Sequence, residues 1–246
     1  MQQTYFRFLI VFILSMMAIE NIARAATTDL ALPTALIALP SEKGEKRFAQ
    51  TPQKDKQDYW QLSRYFTAEN GTAFCGIASS AMVLNALGIK PKLAPQHAPY
   101  KIFTQQNIFY NTKILNAGIS PPLVTRQGLS LNQLCFMLKQ YASNVHCYDA
   151  RDIKDLKSFR TRMTQALEKP DHYVIVNFSR KGLGEVGDGH FSPISAYDPA
   201  SDCFLLMDVA PYKYPQIWVP ARLLFHAIQK NKTTGQVDRG IIIVSA

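Results

Sequence analysis

An α+β fold is predicted by two features of the sequence: helical patterns fill residues 59–141, and from residue 143 onward short apolar runs bounded by turn formers read as strands. A third observation sets the scale. At 246 residues the chain is long enough for one sizeable core or for two lobes with a cleft between them, and it contains no internal repeat.

The elements follow in order. Residues 1–25 carry Arg7, an apolar stretch over 8–18 and the small-residue site Ala23-Arg24-Ala25, which is the pattern of a secretory signal peptide. The apolar run falls short of the ~20 residues that span a bilayer, so cleavage without stable membrane insertion is expected, with a periplasmic or secreted product. Its removal leaves 25 cations against 17 anions. Residues 26–58 are polar, and 41–56 are rich in charge, so an extended N-terminal arm is expected before a catalytic domain over 59–246.

Residues 77–87 are almost continuously apolar or small, with Gly88 suited to close a buried helix. A loop with three prolines covers 90–100, and further helical segments are expected over 104–117 and 131–142. Strands are expected near 145–148, 173–178, 190–197, 203–209 and 240–245, with helices over 153–167 and 221–229. Arg180-Lys181-Gly182-Leu183-Gly184 reads either as a mobile loop at the cleft rim or as an ordinary turn.

Chemistry concentrates at three positions. Cys75 ends the loop Asn70-Gly71-Thr72-Ala73-Phe74 and starts the apolar helix, where unpaired N–H groups and the macrodipole favour negative charge on the sulfur. A lone cysteine is more often a small buried hydrophobe, so partners must decide. His190 follows Gly187-Asp188-Gly189, and Asp208 lies 18 positions later; a hairpin turning at Asp198-Pro199-Ala200-Ser201-Asp202 would bring their strand ends together. Cys, His and Asp then form a candidate triad, with the carboxylate on one ring nitrogen and the other facing sulfur. His97, His146, His172 and His226 lack such surroundings and read as structural or surface residues.

Cys135, Cys147 and Cys203 make no C-x-x-C pair, so structural zinc is not expected and no metal ligand set is assigned. A Cys135–Cys147 disulfide is conceivable in an oxidising compartment, and buried free thiols are the equal alternative. The net charge of +9 comes from thinly spread cations, which argues against nucleic acid and for attraction to anionic small molecules or an acidic envelope surface.

The wording around the candidate triad resembles the phytochelatin synthase family, the glutathione γ-glutamylcysteinyltransferases. The blocks are Ala73-Phe74-Cys75-Gly76-Ile77-Ala78-Ser79 with Val83-Leu84-Asn85-Ala86-Leu87, Gly187-Asp188-Gly189-His190-Phe191-Ser192-Pro193-Ile194, and Leu206-Met207-Asp208-Val209-Ala210 with Tyr212-Lys213-Tyr214-Pro215 and Trp218-Val219-Pro220. Arg239-Gly240-Ile241-Ile242-Ile243-Val244-Ser245 is a weaker fourth. Together they run from about residue 59 to the end.

The resemblance implies a papain-like fold, a helical lobe followed by an antiparallel sheet lobe with the site between them. It also implies that Cys75 attacks the Cys-Gly carbonyl of glutathione, releases glycine and passes the γ-glutamylcysteinyl group to water or to a second glutathione. By the same resemblance Arg180, Arg239 and Phe74 are substrate contacts; a guanidinium suits the α-carboxylate of the γ-glutamyl end. No cofactor is required, although a soft divalent metal such as Cd or Zn could enter as its glutathione complex, and a homodimer stays open.

Two departures stand out. Where the family has an oxyanion-donating glutamine this chain has Glu69, with Asn70 next; loss of one such donor costs ~100 to 1,000-fold in rate. Pro211 stands where many relatives have an arginine linked to the second substrate, and the chain stops at Ala246 like short bacterial members, so hydrolysis is expected to dominate. The competing readings are a papain-like peptidase for ordinary peptides and a non-catalytic periplasmic binder of glutathione or metal.

Overall fold

Seven antiparallel strands pair side by side in a computed structural model of the chain, which describes residues 30–230 and 239–245. The expected signal peptide at 1–25 lies outside the described residues. Leu32–Ala246 form one compact unit.

The strands are β1 (Ile37–Ala38), β2 (Asn144–Asp149), β3 (His172–Ser179), β4 (Gly189–Asp198), β5 (Cys203–Leu206), β6 (Ile217–Pro220) and β7 (Gly240–Ser245), in the spatial order β1-β6-β5-β4-β3-β7-β2. The helices are α1 (Glu42–Gln50), α2 (Gln57–Arg64), α3 (Cys75–Ala86), α4 (Thr112–Asn116), α5 (Pro121–Gln127), α6 (Leu131–Leu138), α7 (Leu156–Leu167), α8 (Arg180–Leu183) and α9 (Ala221–Gln229). Apart from the two-residue β1, the strands all follow the first six helices.

Both faces of the sheet are covered. Tyr173 and Ile175 of β3, with Ile242 and Val244 of β7, join α3 and α6 in one apolar cluster. The alternate residues Val174, Val176, Phe178, Ile241 and Ile243 join Phe159, Met163, Leu224 and Ile228 of α7 and α9 in another. Successive strand residues point to opposite faces, so strands covered on both sides read as unbroken apolar runs, as Ile241-Ile242-Ile243-Val244 does. Each such aliphatic side chain contributes about 1.5–3 kcal/mol when fully buried.

Helix α3 is buried from Cys75 to Asn85, as its lack of a polar face requires. Its end is closed as its sequence predicts. Gly88 has φ +70°, its N–H reaches Asn85 O at 2.9 Å, and the Ile89 N–H reaches Leu84 O at 3.1 Å, satisfying carbonyls the helix leaves open. The Asn85 side chain then clamps Phe103 through two hydrogen bonds, 2.9 and 2.8 Å.

Three segments differ from the sequence expectation. Within 26–58, where an extended arm is expected, β1 pairs with β6, and Ser41 caps α1 by accepting the Gly44 N–H at 3.1 Å. The charges of α1 lie on its solvent side, so a charge-rich stretch still forms a helix once its cap is met. The helix expected over 104–117 is a 3-10 turn at Asn107–Phe109 followed by the short α4, because Asn107 and Asn111 cap backbone groups that a continuous helix would use. The expected rim loop at 180–184 is the helical turn α8, closed by Gly184 at φ +83°.

Candidate active site

Helix α3 packs on β4, which brings its first residue, Cys75, to the residue at the start of that strand, His190. The strand pairing places His190 opposite Phe178 of β3, and the two rings meet edge-on at 5.7 Å. On the other side of β4, the ladder to β5 puts Leu206 opposite Ile194, and the Met207 N–H continues it to Pro193 O at 2.9 Å. The chain therefore delivers Asp208 to His190, with Nε2 to Oδ1 at 2.9 Å.

Asp208 is fully buried and heavily partnered. Its Oδ1 also accepts from the Ala210 N–H at 2.8 Å and from Arg180 Nη2 at 2.9 Å, and its Oδ2 makes an ion-pair contact with Arg180 Nη1 at 2.8 Å. Burial opposes ionisation, but the charges and hydrogen bonds of His190 and Arg180 outweigh it and hold the Asp208 carboxyl well below the usual carboxylate range. An ionised carboxylate only accepts, so Nε2 of His190 carries a proton and Nδ1 is left to face Cys75.

Burial alone would push the His190 imidazole down. The Asp208 charge, the Cys75 sulfur and the hydrogen bonds to both reverse this and raise it to about 9. A sulfur and an imidazole so arranged can exchange a proton and share it with a departing group. Cys75 is free, not in a disulfide.

Behind the pair lies an ion cluster that sequence spacing does not reveal. Arg180 Nη1 also bonds Glu185 Oε2 at 2.7 Å, and the guanidinium lies 5.3 Å from the centre of the Tyr214 ring. Both Arg180 and Glu185 are buried. Arg180 is thus placed against Asp208 and Glu185, not on the wall of the open pocket.

That pocket, of about 570 Å³, is lined by Thr72, Ala73, Cys75, Gln133, Asp188, Gly189 and Arg239 among others. Arg239 is buried, donating to Phe178 O at 2.6 Å and to Asp188 Oδ1 at 3.1 Å, while its Nε has no partner. The Asp188 side chain is 68% exposed and reaches into solvent. A Cβ on Gly189 would stand 3.2 Å from Arg239 Nη1, so glycine lets the guanidinium lie flat against this strand start. Burial depresses the Arg239 guanidinium, opposed by Asp188.

Phe74 packs its ring toward Phe109, with centroids 6.5 Å apart, in the cluster around α3. Asn70 is exposed, and its backbone N–H is taken by Gln105 Oε1 at 2.8 Å. Glu69 is buried, and Tyr212 donates to its Oε1 at 2.6 Å. The Glu69 N–H bonds Val209 O at 2.8 Å, joining the loop before Cys75 to the segment after Asp208.

Cys135 and Cys147 are joined in a disulfide between α6 and β2, which settles the alternative that sequence leaves open. Among the described residues no group of three or more His, Cys, Asp or Glu side chains is placed to hold a metal ion, and no helix is long and apolar enough to cross a membrane.

The family model described as phytochelatin synthase matches residues 27–241. Among curated proteins the chain is 30% identical over 212 residues to glutathione gamma-glutamylcysteinyltransferase 1 of Triticum aestivum, covering 85% of this chain and 40% of that protein. It is 28% identical over 210 residues to glutathione gamma-glutamylcysteinyltransferase 3 of Lotus japonicus, covering 85% and 42%. The protein of Schizosaccharomyces pombe with the same activity in its name is 26% identical over 221 residues, covering 87% and 50%. The chain thus spans two-fifths to half the length of these relatives.

Proposed function

The chain belongs to the phytochelatin synthase family, and on that premise we propose that it is a papain-like thiol enzyme that cleaves the Cys-Gly bond of glutathione through a thioester on Cys75. The observation that carries this reading is the His190 imidazole, bonded to a buried, ionised Asp208 on one side and in contact with the Cys75 sulfur on the other.

The steps follow from that geometry. The Cys75 sulfur forms a bond to the Cys-Gly carbonyl carbon while the carbonyl electron pair moves to oxygen. Collapse breaks the C–N bond, and the His190 imidazolium gives its proton to the departing glycine nitrogen. The neutral imidazole then takes a proton from water as the water oxygen bonds to the thioester carbon. The C–S bond breaks with its electron pair on sulfur, and γ-glutamylcysteine leaves. A second glutathione in place of water yields a longer γ-glutamylcysteinyl peptide, and a glutathione complex of a soft metal enters as acceptor substrate.

Arg239 supports recognition of the γ-glutamyl end: its buried guanidinium has an unpartnered Nε on the pocket that holds Cys75, with Asp188 beside it to receive an ammonium group. The signal-like residues 1–25 place the enzyme in the periplasm or outside the cell. Incubating purified protein with glutathione tests the reading. Glycine release that is lost in Cys75→Ser is expected; no release from folded protein overturns it.

A further inference from the structure

Beside the sulfur stands a carboxylate that the steps above do not use. Glu69 is 7% exposed, and of its two oxygens one accepts the Tyr212 hydroxyl at 2.6 Å while the other, Oε2, is buried with no hydrogen-bond partner. A buried carboxylate oxygen without a donor is costly and calls for one. The location of this oxygen narrows what that donor is. Glu69 opens the six-residue approach to Cys75, its N–H is tied to Val209 next to Asp208, and its partner Tyr212 lies within the electrostatic reach of both Cys75 and Arg180. Glu69, Tyr212, Cys75 and Asp208 therefore converge on one spot.

We propose that Glu69, held by Tyr212, selects the acceptor of the acyl group: its unpartnered oxygen takes a hydrogen bond from the attacking water and turns away anionic thiol peptides. The proposal rests on the thioester reading above and adds to it the cause of a preference for hydrolysis. Water is neutral, small and a donor, so it meets a lone carboxylate oxygen favourably. A second glutathione carries two carboxylates and attacks through a thiolate; each brings negative charge toward Glu69 in a site walled from solvent, where repulsion is weakly screened. Glu69 neither bonds to the acyl group nor replaces His190 as the base. It positions water, and the proton still passes to the imidazole.

The test is product partition. Purified wild-type, Glu69→Gln and Tyr212→Phe proteins are incubated with glutathione at several concentrations, and γ-glutamylcysteine and γ-glutamylcysteinyl-glutathione are counted by mass spectrometry. The wild type is expected to make chiefly γ-glutamylcysteine. Glu69→Gln keeps the shape but removes the charge, and lowers the ratio of hydrolysis to transfer by roughly tenfold, about the worth of one charge-assisted hydrogen bond. Tyr212→Phe keeps the charge but releases its anchor, and lowers the ratio by less. A purely structural Glu69 would change total turnover and leave the ratio alone. An unchanged ratio in both variants, or a wild type that makes chiefly the longer peptide, overturns the proposal while the thioester reading stands. A wild type that releases no glycine removes both.

Discussion

Arg180 and His190 meet on the same oxygen: Nη2 of the one and Nε2 of the other both lie 2.9 Å from Asp208 Oδ1. The acid that orients the imidazole is itself held from behind by a guanidinium whose second amino group is tied to Glu185. Every member of this chain of contacts is buried, so the direction of the imidazole depends on charges that water cannot replace.

Arg180→Met leaves Asp208 and Glu185 as two buried carboxylates without a cation. A loss of about 3–5 kcal/mol in unfolding free energy is expected, read by urea denaturation. Arg180→Lys retains charge but not the fork, and is expected to keep the fold while lowering kcat more than it changes KM, because the effect reaches the reaction only through Asp208 and His190.

The pH dependence of glycine release follows from His190. Its imidazole is raised from 6.5 to about 9, so the charged ring that protonates the leaving amine survives through neutral pH, and the rate is expected to fall as pH passes about 9. The same shift stabilises the fold in full below pH ~6.5, a contribution lost as pH rises through the raised value. Asp208→Asn removes the largest influence raising the ring, so the alkaline limb should move to lower pH. A limb that stays in place would show that another group sets it.

Asp58 on α2 gives an independent check on stability. Burial first, then the nearby Asp171 charge, raises its carboxyl from 3.8 to about 8, and its Oδ2 has no partner. The folded protein therefore keeps a proton that the unfolded chain releases, and stability should fall as pH rises from near 4 to about 8. Asp58→Asn is expected to flatten that fall and to be the more stable protein at pH 8 in thermal melts.

The Cys135–Cys147 bridge closes a loop of 12 residues' separation and ties α6 to β2. Replacing both cysteines with alanine is expected to lower stability by about 3 kcal/mol, with the wild type in reductant losing the same amount. Because Ser130 and Gln133 at the start of α6 line the pocket with Cys75, KM for glutathione should rise in the same variant.

Much of the site could be read from residue order, and the reasons are local. The loop into α3, its closing glycine and the hairpin carrying His190 and Asp208 are all written in contiguous wording, so Cys75, His190 and Asp208 meet as their spacing predicts. What escaped depends on contacts between distant segments. Arg180 and Asp208 are 28 positions apart, and nothing in either neighbourhood tells a buried guanidinium from a solvated one. Tyr212 and Glu69 are separated by 143 positions. Strands β1 and β6 are too short to show an alternating pattern, and they exist because each completes the other's hydrogen bonds. The turn at Arg180–Leu183 reads as a loop because its helical form is set by the Ser179 cap and by Glu185 closing back onto Arg180.

The single backbone bond from the Glu69 N–H to Val209 O has a mechanical consequence. It rivets the strap that leads to the sulfur onto the strap that follows the acid, so thermal breathing carries both walls of the groove together. An entering tripeptide can pry the rim apart, yet the distance between nucleophile and base barely registers the strain.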